Sequence, residues 1–320
     1  MIGADLLDRR LLVVSGKGGV GKTTVSAALA RAAARTGRTV LLAEVEGRGG
    51  ISRLLGVPPP GFEEPRTRLG FAVTSITPRE ALVEYLRLFF GMRTLSRTLA
   101  RAKVLETATE GIPGFRDLMT AGKLYELTEW RRVPANADGR RRYDLVVVDA
   151  PPTGQLVSML KAPGAFLDIL RMGRPHRQLE SIDRMVRRHA GIVLVAIPEE
   201  MSVAESLDTA EALRAEGMAC HAVVANRVLP SAFPKGTRAA ALRLEPKALA
   251  AILGEAGVEA TEEDGAALLE AARAQDGRAR AQRDHLAALA GAGPVTELPF
   301  LFTPTFGPPE VDALARELVP

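Results

Sequence analysis

Leu11-Leu12-Val13-Val14-Ser15-Gly16-Lys17-Gly18-Gly19-Val20-Gly21-Lys22-Thr23-Thr24 decides how this chain is read. An apolar run stops at a glycine-rich loop, and Thr23 to Thr36 follows as an alanine-rich stretch closed by Gly37. The run has no polar alternation, so it reads as a strand buried on both faces. The stretch after the loop reads as a helix with Gly37 as its C-cap. Thr39 to Val45 supplies the next strand. Strand, loop, helix and strand form a βαβ unit, which builds a parallel sheet through a right-handed crossover.

The loop itself has the pattern G-x-x-x-x-G-K-T from Gly16 to Thr23. Glycines let the backbone close around an anion with several N–H groups pointing inward. Lys22 adds a point charge, the Thr23 hydroxyl is a magnesium ligand type, and the following helix N-terminus adds partial positive charge. This predicts ATP and Mg²⁺ as cofactors, with Gly18, Gly19, Val20, Gly21, Lys22, Thr23 and Thr24 around the phosphates. A second strong strand, Tyr143 to Asp149, ends on an acid and runs into Ala150-Pro151-Pro152-Thr153-Gly154-Gln155. An acid at the carboxyl end of a core strand falls beside such a loop. Asp149 is therefore the second expected metal-side residue, and Asp149, Pro152, Thr153 and Gly154 form a candidate switch that senses the terminal phosphate.

Further strands are expected at Phe71 to Ile76, Gly191 to Ile197, Ala222 to Ala225 and Val295 to Leu298. The fold class follows: an α/β, doubly wound, mostly parallel sheet with an inserted helical subdomain. Residues 1–320 read as a single domain, with the helical insertion at about 80–132 and a second helical segment at about 231–290. Leu82, Tyr85, Leu86, Phe89 and Phe90 recur at helical spacing in the first of these. That pattern fits both a hydrophobic groove for a client over Ala81 to Leu105 and helices packed on their own core.

Composition sets limits. The hydrophobic content of 47 % and charged content of 25 % are ordinary for a globular protein. A net charge of +4 spread over 320 residues is a solubility feature, so no nucleic-acid partner is expected. The one cysteine, Cys220, excludes an internal disulfide and a CxxC zinc clamp within the chain. Cys220 reads as a small hydrophobe on a strand. Met1 to Arg10 is not a signal peptide, and no stretch has the ~20 apolar residues that span a bilayer. A cytoplasmic location is the expectation.

The form K-G-G-V-G-K-T carries a second lysine, Lys17, and resembles the deviant Walker A loop of the MinD, ParA, nitrogenase iron protein and ArsA group. In that group the first lysine reaches the partner's nucleotide, so the resemblance implies a dimer in which Lys17 acts in trans. The segment from Asp149 to Gln155 is similar to the D-T-A-P-T-G-H switch of the ArsA family of arsenite-pump and tail-anchored-protein-targeting ATPases. Pro198-Glu199-Glu200-Met201-Ser202-Val203-Ala204-Glu205 resembles that family's P-E-x-x-S-x-x-E segment. Gly111-Ile112-Pro113-Gly114 resembles its G-x-P-G run. Val224-Ala225-Asn226-Arg227 resembles the strand end where Asn reads adenine, and Glu297-Leu298-Pro299-Phe300 the last strand and adenine-side loop. The resemblance thus implies nucleotide contacts from Asn226, Pro299 and Phe300.

Two departures qualify the resemblance. The family's first switch, D-P-A-H, aligns with Glu46-Gly47-Arg48-Gly49, so its water-positioning role falls to Glu46, with Glu44 as the competitor. The zinc-binding and arsenite-binding cysteines are missing, which argues against an arsenite-stimulated pump subunit and a zinc-clamped dimer. One P-loop means the partner is a second copy or a paralogous ATPase chain. The expected activity is ATP hydrolysis by a dimer that switches with nucleotide state and handles a hydrophobic or membrane-protein client. Two alternatives stand: a nucleotide-gated binding module with little turnover, acting as half of a heterodimer, and a ParA- or MinD-like positioning ATPase.

Overall fold

The structure is a computed structural model and describes residues 2–46, 49–61, 66–90, 111–129, 142–231, 233 and 236–319. Its centre is a seven-stranded sheet: β1 (Leu11–Gly16), β2 (Val40–Val45), β3 (Ala72–Ile76), β4 (Leu145–Asp149), β5 (Ala190–Ala196), β6 (Cys220–Val228) and β7 (Val295–Pro299). The strand order is β3-β2-β4-β1-β5-β6-β7, and every pairing is parallel. The mostly parallel sheet expected from the sequence is therefore wholly parallel among the described residues. β1 is buried at all six positions, as its unbroken apolar pattern requires. The chain leaves β1 toward β2 on one side and later passes from β4 to β5 on the other. The carboxyl ends of β1 and β4 thus border the crevice where open α/β sheets bind ligands.

Apolar cores cover both faces. One face packs Val25, Leu29 and Ala33 of the helix Lys22–Arg35, with Val311, Leu314 and Leu318 of the helix Pro308–Leu318. The other packs Leu124, Leu156, Met159, Met185 and Leu213 from the helices Phe115–Glu129, Thr153–Ile169, Gly173–His189 and Glu200–Ala215.

Between β3 and β4 lie the helices Pro78–Phe90 and Phe115–Glu129. Residues 91–110 and 130–141 of this stretch, and with them the later part of the expected groove from Ala81 to Leu105, fall outside the described residues. Ala81, Leu82, Leu118 and Met119 form a small separate core with Ala162 and Leu179. Between β6 and β7 run the helices Arg238–Ala241, Pro246–Glu255 and Glu262–Leu289. The long Glu262–Leu289 helix starts on a capping box, Thr261 and Asp264 each bonding the other's backbone N–H. No described helix is long and apolar enough to cross a membrane.

Cys220 opens β6 and is half-buried; burial pushes its thiol up to about 11. The thiolate is the nucleophile, so little of the reactive form exists at neutral pH. Alkylation by iodoacetamide at pH 7.5 is expected to run about a hundredfold slower than for a free thiol. A rate equal to that of a model peptide thiol would contradict this.

Candidate functional site

The loop after β1 is shaped by its glycines. Gly19 and Gly21 take φ of 85° and 96°, the left-handed region that a side chain disfavours. A Cβ on Gly18 or Gly19 would meet nothing within 4 Å. That open side of the backbone is a cradle a ligand can fill. Gly21 lies so close to Asn226 that a Cβ there would sit 2.4 Å from the Asn226 amide nitrogen. Asn226 Nδ2 donates to the Val20 carbonyl at 2.8 Å, pinning the loop from the end of β6. Lys22 Nζ donates to the Lys17 carbonyl at 2.9 Å, so the lysine lies along the inside of the loop.

Asp149 ends β4 next to the first residue turns of the helix Lys22–Arg35. Thr23 Oγ1 donates to Asp149 Oδ2 at 2.6 Å. A hydroxyl and a carboxylate oxygen so placed are hard oxygen donors of the kind magnesium takes. The Pro151 carbonyl accepts from Ser15 Oγ at 2.6 Å, which ties the turn after Asp149 to β1. Pro152 caps the helix Thr153–Ile169, and Thr153, its first residue, is buried. Gly154 follows on an exposed position.

The Lys17 side chain reaches a partner outside the loop. Its Nζ lies 3.0 Å from Glu205 Oε1, and Thr153 Oγ1 lies 3.3 Å from Glu205 Oε2. One carboxylate on the helix Glu200–Ala215 therefore touches both the second loop lysine and Thr153, a residue of the candidate switch. The sequence offered Glu205 only as the end of a motif, with no role; the contact joins residues too far apart in the chain for spacing to reveal.

Beside the loop lies a cavity of about 530 Å³. Gly21, Thr24, Asn226, Arg227, Pro299 and Phe300 are among its lining residues. This volume is within the roughly 300–1,000 Å³ of small-molecule sites. Phe300 is 38 % exposed and stacks edge-on against Phe302, ring centroids 4.9 Å apart. Exposed aromatic faces at a cavity mouth suit a flat heterocycle. Phe306, which the sequence did not single out, also lines this cavity, as does Arg227, to which the strand-end motif gave no role.

Glu46 is placed elsewhere. It stands just past β2 at φ 69°, unusual for a residue with a Cβ, and its N–H donates to the Ile76 carbonyl. Its Oε1 lies 3.6 Å from Arg116 Nη2, on the helix Phe115–Glu129. The negative charge of Glu46, after burial, also raises the neighbouring Asp117 carboxyl above its ordinary value. Gly47 and Arg48 lie outside the described residues. Glu44, one turn of the pleat earlier, is 2 % exposed inside β2 and accepts from the Gly50 N–H at 2.8 Å.

A loop of this shape between a buried strand and a helix N-terminus, facing an acid at the end of the adjacent strand, defines a P-loop protein of the α/β class. A sequence model of the anion-transporting ATPases, the ArsA ATPases, matches residues 9–191 and 178–249. The chain belongs to the ArsA ATPase family. It is similar to the ATPase BagA of Mycobacterium tuberculosis, 35 % identical over 268 residues that cover 81 % of this chain and 78 % of BagA. It is also similar to the arsenical pump-driving ATPase of Escherichia coli, 25 % identical over 266 residues, covering 75 % of this chain and 43 % of that protein. The ATPase ASNA1 homolog of Babesia bovis is 29 % identical over 157 residues, 49 % of this chain and 39 % of its own.

Proposed function

We propose that the chain hydrolyses ATP with magnesium, and that nucleotide state switches a two-chain assembly. The observation that carries this reading is Glu205. It holds Lys17 and the switch residue Thr153 on one carboxylate. A change at the phosphate that moves Thr153 is thereby felt by the lysine that the deviant loop assigns to the partner's nucleotide. Magnesium, when bound, supplies charge neutralisation on the phosphates; Thr23 and Asp149 are the residues that would hold it. Lys22 and the loop N–H groups hold the phosphates, Asn226, Pro299 and Phe300 border the base, and Asp149, Pro152, Thr153 and Gly154 carry the switch. Glu46 remains the candidate for orienting water, provided it leaves Arg116.

The output we infer is the handling of an apolar segment of a client, such as a membrane protein. A cavity of about 300 Å³ opens among the helices Pro78–Phe90, Phe115–Glu129, Thr153–Ile169 and Gly173–His189. Its lining includes Leu82, Tyr85, Phe115, Met119, Phe166 and Leu179. Ile169 and Met172 stand exposed nearby at 70 % and 84 %. The helix that starts at Thr153 forms one wall, so candidate switch and cavity share one helix. Exposed apolar surface rimmed by polar residues marks an interaction site.

Steady-state ATP turnover, measured with the mass of the ATP-bound complex, tests the proposal. Turnover above background and a two-chain mass, alone or with a paralogous ATPase, are expected. A monomer that binds ATP and turns none over under either condition overturns the proposal. It would favour the nucleotide-gated binding module, the reading that the Glu46–Arg116 contact supports.

A further inference from the structure

Glu44 is a buried acid that the site as described does not use. It pairs in register with Asp149 of β4 on one side and Ser75 of β3 on the other. Register partners in a parallel sheet project to the same face, so Glu44 and Asp149 share one face of the sheet at its carboxyl end. Oε1 of Glu44 accepts from the Gly50 N–H. Among the described residues, Oε2 is buried and has no hydrogen-bond partner. A carboxylate oxygen taken out of water without a donor is among the costliest arrangements in a protein interior. Such atoms are kept where a ligand, ion or water completes them.

The neighbours are hard oxygen donors, the chemistry that suits a hydrated cation. A Cβ placed on Gly50 would sit 3.2 Å from Glu44 Oε1 and 3.2 Å from Thr23 Oγ1. The carboxylate and the Thr23 hydroxyl are therefore within about 6.4 Å of each other, and a side chain at position 50 would crowd both. Thr23 Oγ1 in turn contacts Asp149 Oδ2. Two acids and a hydroxyl converge, all on β2, β4 and the loop helix. Magnesium keeps several waters when it binds proteins, and those waters need acceptors.

Resting on the proposed magnesium site, we propose that Glu44 is a positioning residue for the ion, its free oxygen accepting a hydrogen bond from a metal-bound water.

The test uses Mn²⁺ as the paramagnetic probe, titrated into the full chain loaded with ADP, for the unaltered protein and for Glu44→Gln and Asp149→Asn. The thermal midpoint is also read in EDTA. Glu44→Gln is expected to weaken Mn²⁺ binding by roughly tenfold to a hundredfold, as loss of outer partners of metal ligands does. In EDTA the same variant is expected to be at least as stable as the unaltered protein, because an uncompensated buried charge has gone. Mn²⁺ affinity unchanged by Glu44→Gln but lowered by Asp149→Asn overturns the Glu44 proposal and leaves the magnesium site standing. A lower midpoint in EDTA also overturns it, since Glu44 would then be structural. Absence of nucleotide-dependent Mn²⁺ binding in the unaltered protein overturns both.

Discussion

Lys17→Ala is expected to lower ATP turnover by about a thousandfold while nucleotide affinity changes only a few-fold. A cation brought to the transferring phosphoryl group from a partner is worth about 10³ to 10⁵ in rate. The substitution removes the side chain alone; the Lys17 carbonyl that receives Lys22 Nζ stays in place. Binding by the loop should therefore survive. In the isolated chain the Lys17 ammonium rests on Glu205, with the two side chains 33 % and 38 % exposed. An ion pair so open to water holds weakly, on the order of 1 kcal/mol or less, so it can be exchanged for a phosphate contact. Mixing decides whether the action is in trans. Lys17→Ala chains hold nucleotide without the lysine, and Lys22→Ala chains offer Lys17 without holding nucleotide. Turnover in the mixture well above the sum of the two separate chains is expected if like chains pair. Where the partner is a paralogous chain, only its addition should restore the rate. Full turnover by Lys17→Ala alone would remove Lys17 from the mechanism.

Much of this was legible from local sequence because the physics is local. A glycine-rich turn between an apolar run and an alanine-rich helix has few structural solutions, and Asp149 ends the run with the clearest core character. β1, β2 and β4 accordingly lie within a residue or two of where the pattern put them. Glu205 shows what sequence withholds. Its contact with Lys17 joins a loop to a helix far along the chain, and only the parallel order β1-β5 brings them together. Glu46 is a second case. Alignment with a switch motif fixed its position in the chain, but not its side-chain direction, which Arg116 on an inserted helix decides. The helix Thr153–Ile169 is a third. Pro163 and Gly164 sit inside it, where propensity alone would end a helix. Burial of Leu156, Met159 and Leu160 against the sheet face overrides that preference. The apolar cavity follows from this helix, so it was equally hidden; the sequence pointed to Ala81 to Leu105, and the cavity takes only part of its lining from there.

Gly16→Ala is expected to cost stability on the order of 3 kcal/mol, the upper end of what overpacking usually costs. A Cβ at Gly16 would lie 2.1 Å from the Val195 carbonyl oxygen of β5 and 3.1 Å from Val20 Cγ2. The first of these is backbone in a central strand paired with β1 at this very residue, so it cannot swing aside. Relief requires β1 and β5 to part at their carboxyl ends, where the phosphate loop begins. Nucleotide binding should therefore fall along with the unfolding midpoint. Gly18→Ala separates the two effects. A Cβ there meets nothing within 4 Å, so the nucleotide-free chain should unfold at an unchanged midpoint. The open volume beside Gly18 is the space assigned to the phosphates, so nucleotide affinity should still drop in that variant. Equal midpoints for the two variants would mean that β1 and β5 are not held as closely as described. Unchanged nucleotide affinity in Gly18→Ala would move the phosphates away from this side of the loop.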